Sequence, residues 1–162
     1  MTPKSPTDIT VFDIADWFLA KAKAEGTDLK HMKLQKLVYF AYGWHFVFCD
    51  DLPLFQEDFY AWRRGVAVKD LYDKYQPFGS SPIIPEMSDC PSFDEDISRL
   101  LRYVWALYGA CSDLQLSKII HRHDAPWNKT YQRNEWIPYA KISPDLIRGY
   151  FLSLRVQYAE KH

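Results

Sequence analysis

At 162 residues the chain has room for one domain, and 48% hydrophobic residues supply enough apolar surface to bury a core. Charged residues at 25% argue against extended disorder, and a formal net charge of -1 excludes a long-range field that would gather polyphosphate or an anionic membrane. Aromatic residues make up 17%, so the core is expected to rest on large flat side chains.

In chain order, "MTPKSPTDIT" carries two prolines and no apolar stretch of the signal-peptide kind. Residues 1–9 therefore read as a flexible lead. Thr10 with Asp13 resembles an N-capping arrangement, and Val11, Ile14, Ala15, Phe18, Leu19 and Ala22 follow at helical spacing until Gly26. Asp28 is expected to cap the next helix, whose inward stripe is Leu34, Leu37, Val38, Ala41 and His45, closed by Phe48. Tyr39, Tyr42, Phe46 and Cys49 add a second stripe, which makes this helix apolar nearly all round and places it in the middle of a bundle. It is no membrane span: the apolar run over residues 37–49 contains His45 and falls short of the roughly twenty residues a bilayer requires.

In "DLPLFQEDFYAWRRG", residues 51–65, two short apolar runs flank Gln56, Glu57 and Asp58, which predicts one small β-hairpin near residues 52–62. Val68, Leu71, Tyr72 and Tyr75 predict a third helix ending before Pro77. Four prolines in residues 76–92 predict a long surface loop. Ser92 with Glu95 forms the pattern of a capping box, and Ile97, Leu100, Leu101, Val104, Tyr108 and Cys111 give a fourth helix. Asp113 is expected to cap a fifth helix carrying Leu114, Leu116, Ile119 and Ile120. Asp124 is expected to cap a short sixth, with Pro126 in its first turn. Ser143 and Pro144 start the last helix, with Ile147, Tyr150, Phe151 and Leu154 inward. The expected fold class is all-α: a compact single-domain bundle of about six or seven helices over residues 1–162, plus the hairpin.

Chemistry is scarce in this sequence. The glycines stand alone, so no phosphate-cradling loop is visible, and no Gly-x-Ser-x-Gly, His-Glu-x-x-His or Cys-x-x-Cys motif occurs. Cys49, Cys90 and Cys111 are odd in number and far apart, which fits reduced thiols in a cytoplasm. His121, His123 and Asp124 offer a metal or acid–base cluster, beside the alternative of ordinary histidines at a helix end. Lys30, His31, Lys33 and Lys36 crowd a helix N-terminus where the macrodipole already disfavours cations. Either an acid within the fold neutralises them or they meet an acidic partner. Trp62 beside Arg63 and Arg64 has the composition of an interface hot spot, against the alternative of a core tryptophan with two solvated arginines.

Three stretches, "LQKLVYFAYGWH" (34–45), "FYAWRRGVAVKDLYDKY" (59–75) and "LSKIIHRHDAPW" (116–127), together resemble the SocA-like antitoxin domain, also called the Panacea domain, of bacterial and phage toxin–antitoxin pairs. The likeness runs from about residue 10 to about residue 155. Leu34, Gln35, Lys36, Leu37 and Tyr39 match its helix motif, Trp62 and Gly65 its second segment, and His121, Pro126 and Trp127 its third. Relatives commonly have Gly-Pro-Val where this chain has Gly65, Val66 and Ala67. The resemblance implies a mainly helical domain without catalysis or cofactor, which neutralises a toxin encoded beside it by direct binding; in one branch the antitoxin instead delivers the toxin to the ClpXP protease. Toxin contacts are then expected at Lys33, Lys36, Trp62, Arg63, Arg64, Asp124 and Trp127. Self-association stays open, and general nucleic-acid binding has little support. The alternative is a metal-dependent or acid–base enzyme built on His121, His123 and Asp124.

Overall fold

The structure, a computed structural model, describes residues 3–86, 90–133, 137 and 139–161. Helix α1 (Val11–Ala24) starts at a reciprocal capping box: the Asp13 amide donates to the Thr10 hydroxyl and the Thr10 amide to the Asp13 carboxylate. The Glu57 carboxylate accepts from the Val11 amide, adding negative charge where the helix dipole favours it. At the other end Gly26 takes φ +67 and the Thr27 amide bonds the Ala22 carbonyl, so the chain leaves through a glycine-dependent turn.

Helix α2 (His31–Phe48) is the axis of the molecule, buried at every position from Leu34 to Phe46 and packed against α1, α4, α5 and α7. This is the central rod that its double apolar stripe predicts. Asp28 is not its cap: Lys30 occupies that position and no side chain bonds the first amides. Phe48 is 52% exposed instead of closing the inward stripe, lying at the surface between Trp44 and the Tyr103 ring of the helix that follows residue 94. Gly43 has a packing reason, since a Cβ there would collide with the Phe151 ring lying across the helix backbone.

The mainly helical expectation with one hairpin holds in outline, and the hairpin gains a third strand. Strands β1 (Phe59–Trp62), β2 (Gly65–Val68) and β3 (Ala140–Lys141) form a three-stranded antiparallel sheet in the order β2-β1-β3. The hairpin pairs Phe59 with Val68 and Trp62 with Gly65, so its turn is Arg63 and Arg64. It lies later than the predicted 52–62, and Leu54 and Phe55 enter the core outside any strand. Strand β2 is buried along its whole length, so it shows none of the alternation that betrays a half-exposed strand.

Helix α3 (Lys69–Tyr75) follows directly and stops before Pro77, as predicted. Residues 76–86 are more than loop: residues 76–78 form a 3-10 turn, and the Ile83 amide bonds the Leu29 carbonyl, which buries Ile83. Residues 4–9 are likewise fastened, by the Lys4 amide to the Ser92 carbonyl and by burial of Ile9.

Helix α4 (Glu95–Tyr108) has Asp94 as its cap instead of Ser92, its carboxylate taking the Ile97 amide at 3.0 Å. Helix α5 (Asp113–Ile120) is capped by Ser112 in a box with Gln115. Asp113 sits one residue inside that helix, and of its apolar residues Leu114 is 66% exposed while Leu116 and Ile120 are buried. Helix α6 (Pro126–Arg133) begins two residues after Asp124, and α7 (Pro144–Lys161) begins at Pro144 after Ser143. One apolar cluster runs from Ile9 to Phe151. At its centre Phe40 stacks on Tyr108 at 3.9 Å, while Phe151 meets Tyr39 and Trp44 edge-on. No helix among the described residues is long and apolar enough to cross a membrane.

Candidate functional site: the hairpin-tip cleft

The β1–β2 turn needs one residue outside the ordinary backbone regions, and Gly65, at φ +138, supplies it. That is the physical content of a tryptophan followed three residues on by glycine. The turn carries Arg63 and Arg64 outward, and both are exposed. Beside it lies a cleft of about 420 Å³. Met32 and Gln35 of α2 form one wall, the hairpin from Trp62 to Ala67 a second, and Tyr72 and Tyr139 the remainder. Trp62 meets Tyr72 edge-on at 4.9 Å and Tyr139 at 5.7 Å, so the aromatic walls support one another. Among the described residues no carboxylate lies within ion-pair distance of Arg63 or Arg64.

Buried groups hold the hairpin from behind. The Gln35 side chain accepts from the Val68 amide at 2.9 Å and donates to the Val68 carbonyl at 3.2 Å, docking α2 on the end of β2 as a strand would. The same amide nitrogen lies 3.1 Å from Nε2 of His31, which therefore accepts. Burial lowers the His31 pKa and keeps the ring neutral, in keeping with that role. Trp127 donates its indole N–H to the Trp62 carbonyl at 2.7 Å, stacks on Tyr131 and takes the edge of His121. His121 Nδ1 donates to the Ser117 carbonyl, and its ring carbon Cε1 comes to 3.8 Å from where a Gly65 Cβ would stand.

The predicted residues therefore divide. Trp62, Arg63, Arg64 and Gly65 come together in the cleft; Gln35, His121, Pro126 and Trp127 support it, all but His121 fully buried. Leu34, Leu37 and Tyr39 are core, and burial pushes the Tyr39 phenol well up. Lys36 is turned inward with its side chain 3% exposed, and it pairs with the Asp113 carboxylate. Lys33 donates to the Gly109 carbonyl. Two cations at the start of α2 are thus taken up within the fold, Lys36 by an acid and Lys33 by a carbonyl, while Lys30 is exposed; Lys36 has no outer surface to offer a partner. Asp124 and His123 are exposed in the α5–α6 connection. His121 engages Ser117 through Nδ1, and no group of three His, Cys, Asp or Glu among the described residues is placed to hold a metal.

Sequence reasoning missed Met32, Tyr72 and Tyr139 as cleft walls. Tyr72 reads as an inward helix position, and its ring does point inward, onto Trp62. Tyr139 lies in no periodic segment, so nothing in the chain signals its place.

The profile of the family described as "Antitoxin SocA-like, Panacea domain" matches residues 34–128. That span begins at the α2 motif and ends just past Trp127, so it holds all three stretches that meet at the hairpin. Antitoxin SocA of Caulobacter vibrioides (strain NA1000 / CB15N) is 27% identical over 136 residues, covering 77% of this chain and 72% of its own. No solved structure matches the chain.

Proposed function

The chain belongs to the antitoxin SocA-like, Panacea domain family, and from that premise we propose that it is an antitoxin which silences a cognate toxin by binding it directly, without catalysis. The observation that carries this reading is the meeting of the family's three motifs on one hairpin, whose exposed tip has arginine and aromatic side chains and, among the described residues, no carboxylate within ion-pair distance of the arginines. A neutralising surface must be stiff, so that little entropy is lost on docking, and a hairpin braced by Gln35 and Trp127 meets that need. The protein acts in the cytoplasm, as a single domain, on a toxin encoded next to it. Delivery of that toxin to ClpXP is the variant of this reading that the family resemblance also supports.

The test is co-expression with each adjacent gene. A neighbour whose expression alone arrests growth is expected to become harmless in the presence of this chain and to co-purify with it in fixed stoichiometry. Failure of both rescue and co-purification ends the antitoxin reading. The toxin's half-life separates the two modes: it stays long under direct blocking and shortens, in a ClpX-dependent way, under delivery.

A further inference from the structure

We propose, resting on the antitoxin reading, that the hairpin-tip cleft takes an acidic loop of the toxin: one large apolar side chain of that loop fills the space between Trp62, Tyr72 and Tyr139, and flanking carboxylates pair with Arg63 and Arg64. Volume is the first argument. About 420 Å³ lies at the small end of the roughly 300–1,000 Å³ typical of ligand sites, which suits an anchoring side chain rather than a whole element of secondary structure.

The second argument is what the strand edge cannot do. Val66 and Ala67 are 2% and 5% exposed, and Gln35 already bonds both polar backbone groups of Val68. No room is left for a partner strand to pair with β2, so recognition has to run through side chains.

The third is charge. Arg63 and Arg64 occupy a two-residue turn between paired strands, which fixes their backbone, and among the described residues no carboxylate pairs with either. A guanidinium presents its donors as a planar fork that fits a carboxylate in two-point contact. Aromatic and arginine side chains also suit an RNA base and its phosphate, but the surroundings disfavour a polyanion. The chain carries a net charge of -1, and Asp70 and Asp73 stand exposed on the helix that supplies Tyr72. A phosphate backbone would have to pass these carboxylates, whereas a loop can place its own acids at the arginines alone.

The experiment titrates the full-length chain, by calorimetry, with the growth-arresting product of the adjacent gene. The variants are Arg63→Glu with Arg64→Glu, Arg63→Ala with Arg64→Ala, and Tyr139→Ala; all three side chains are exposed, and unchanged melting temperatures check that the variants fold. The charge reversal is expected to weaken binding about 30-fold or more and abolish growth rescue, and the alanine pair to weaken it less. Tyr139→Ala is expected to lose about tenfold, and wild-type association to slow as salt rises. If the wild-type chain neither binds nor rescues, the antitoxin reading itself falls and this one with it. If the wild-type chain binds and rescues while the charge-reversed variant does so equally well, the toxin docks elsewhere and the cleft assignment alone is overturned. A gel shift with a 20-nucleotide RNA that the charge reversal abolishes, without any loss of toxin binding, would likewise overturn it in favour of a nucleic-acid site.

Discussion

Lys36 lies where an unpaired ammonium would be costly, with a side chain 3% exposed and the Asp113 carboxylate as its partner. The two residues are 77 positions apart in sequence, which is why the cluster of Lys30, His31, Lys33 and Lys36 reads along the chain as free positive charge. Composition announces a cation; only the fold shows what neutralises it. The pair is asymmetric, because Asp113 is 56% exposed and can return to water whereas Lys36 cannot. Asp113→Ala is therefore expected to cost on the order of 2 kcal/mol, since it strands a buried charge. Lys36→Met removes the charge along with the need for a partner, keeps the chain length, and should cost less than half as much. Urea unfolding of both variants measures the difference. Equal losses, or a larger loss for Lys36→Met, would mean that the ion pair does not hold α2 to α5 in this way.

At the level of elements, the helices are legible because each carries a complete local signal. Val11 to Ala22 and Ile97 to Val104 show an inward face at 3.6-residue spacing, and all the positions named for those two stretches are buried. Caps are legible only to within a residue or two: Asp94 and Ser112 do the work that Ser92 and Asp113 seem to offer, because Ser, Thr and Asp neighbours are chemically equivalent until the backbone chooses. The hairpin is displaced because β2 is buried on both faces, and because its turn is two arginines rather than a glycine pair. One glycine carries the whole turn, and this gives a paired prediction. Gly65→Ala puts a side chain at φ +138 and is expected to cost about 1–3 kcal/mol, although His121, the nearest atom at 3.8 Å, leaves room for the methyl group. Gly149→Ala, in the exposed middle of α7 with nothing within 4 Å of the new Cβ, should stabilise by about 0.5–1 kcal/mol. Thermal melts of the two variants should therefore move in opposite directions; a shared direction would show that backbone conformation is not what Gly65 is there for.

Across the whole molecule, the described polar links between the central helix, the sheet and the α5–α6 connection include one that ends on a titratable ring. Gln35 ties α2 to β2 through both polar backbone groups of Val68, and the second hydrogen of its amide donates to a neutral His31 Nε2. Burial lowers the His31 pKa below its ordinary value, with the rings of Tyr72 and Tyr75 packed beside it. Burial lowers His45 as well, against the opposing pull of Asp50, a backbone bond with Leu52, and Asp94. The sign follows from which state takes up the proton. Well above pH ~6.5 both histidines are neutral in the folded and unfolded chains and pH has little leverage through them. Below it the unfolded chain binds protons that the folded chain refuses, so stability falls with pH, by up to about 1.4 kcal/mol per pH unit for each histidine, until the lowered folded-state values are reached. Melting temperature is accordingly expected to hold nearly level around pH 7.5 and to decline as the pH falls through about 6.5 to 5.5. His31→Gln removes one of the two titrating groups and should flatten the decline, and combining it with His45→Gln should flatten it further, even where the substitutions lower the melting temperature at pH 7.5. A wild-type melting temperature that holds level or climbs over this interval would mean that His31 takes its proton inside the fold, and that the amide link from α2 to the hairpin does not depend on a neutral ring.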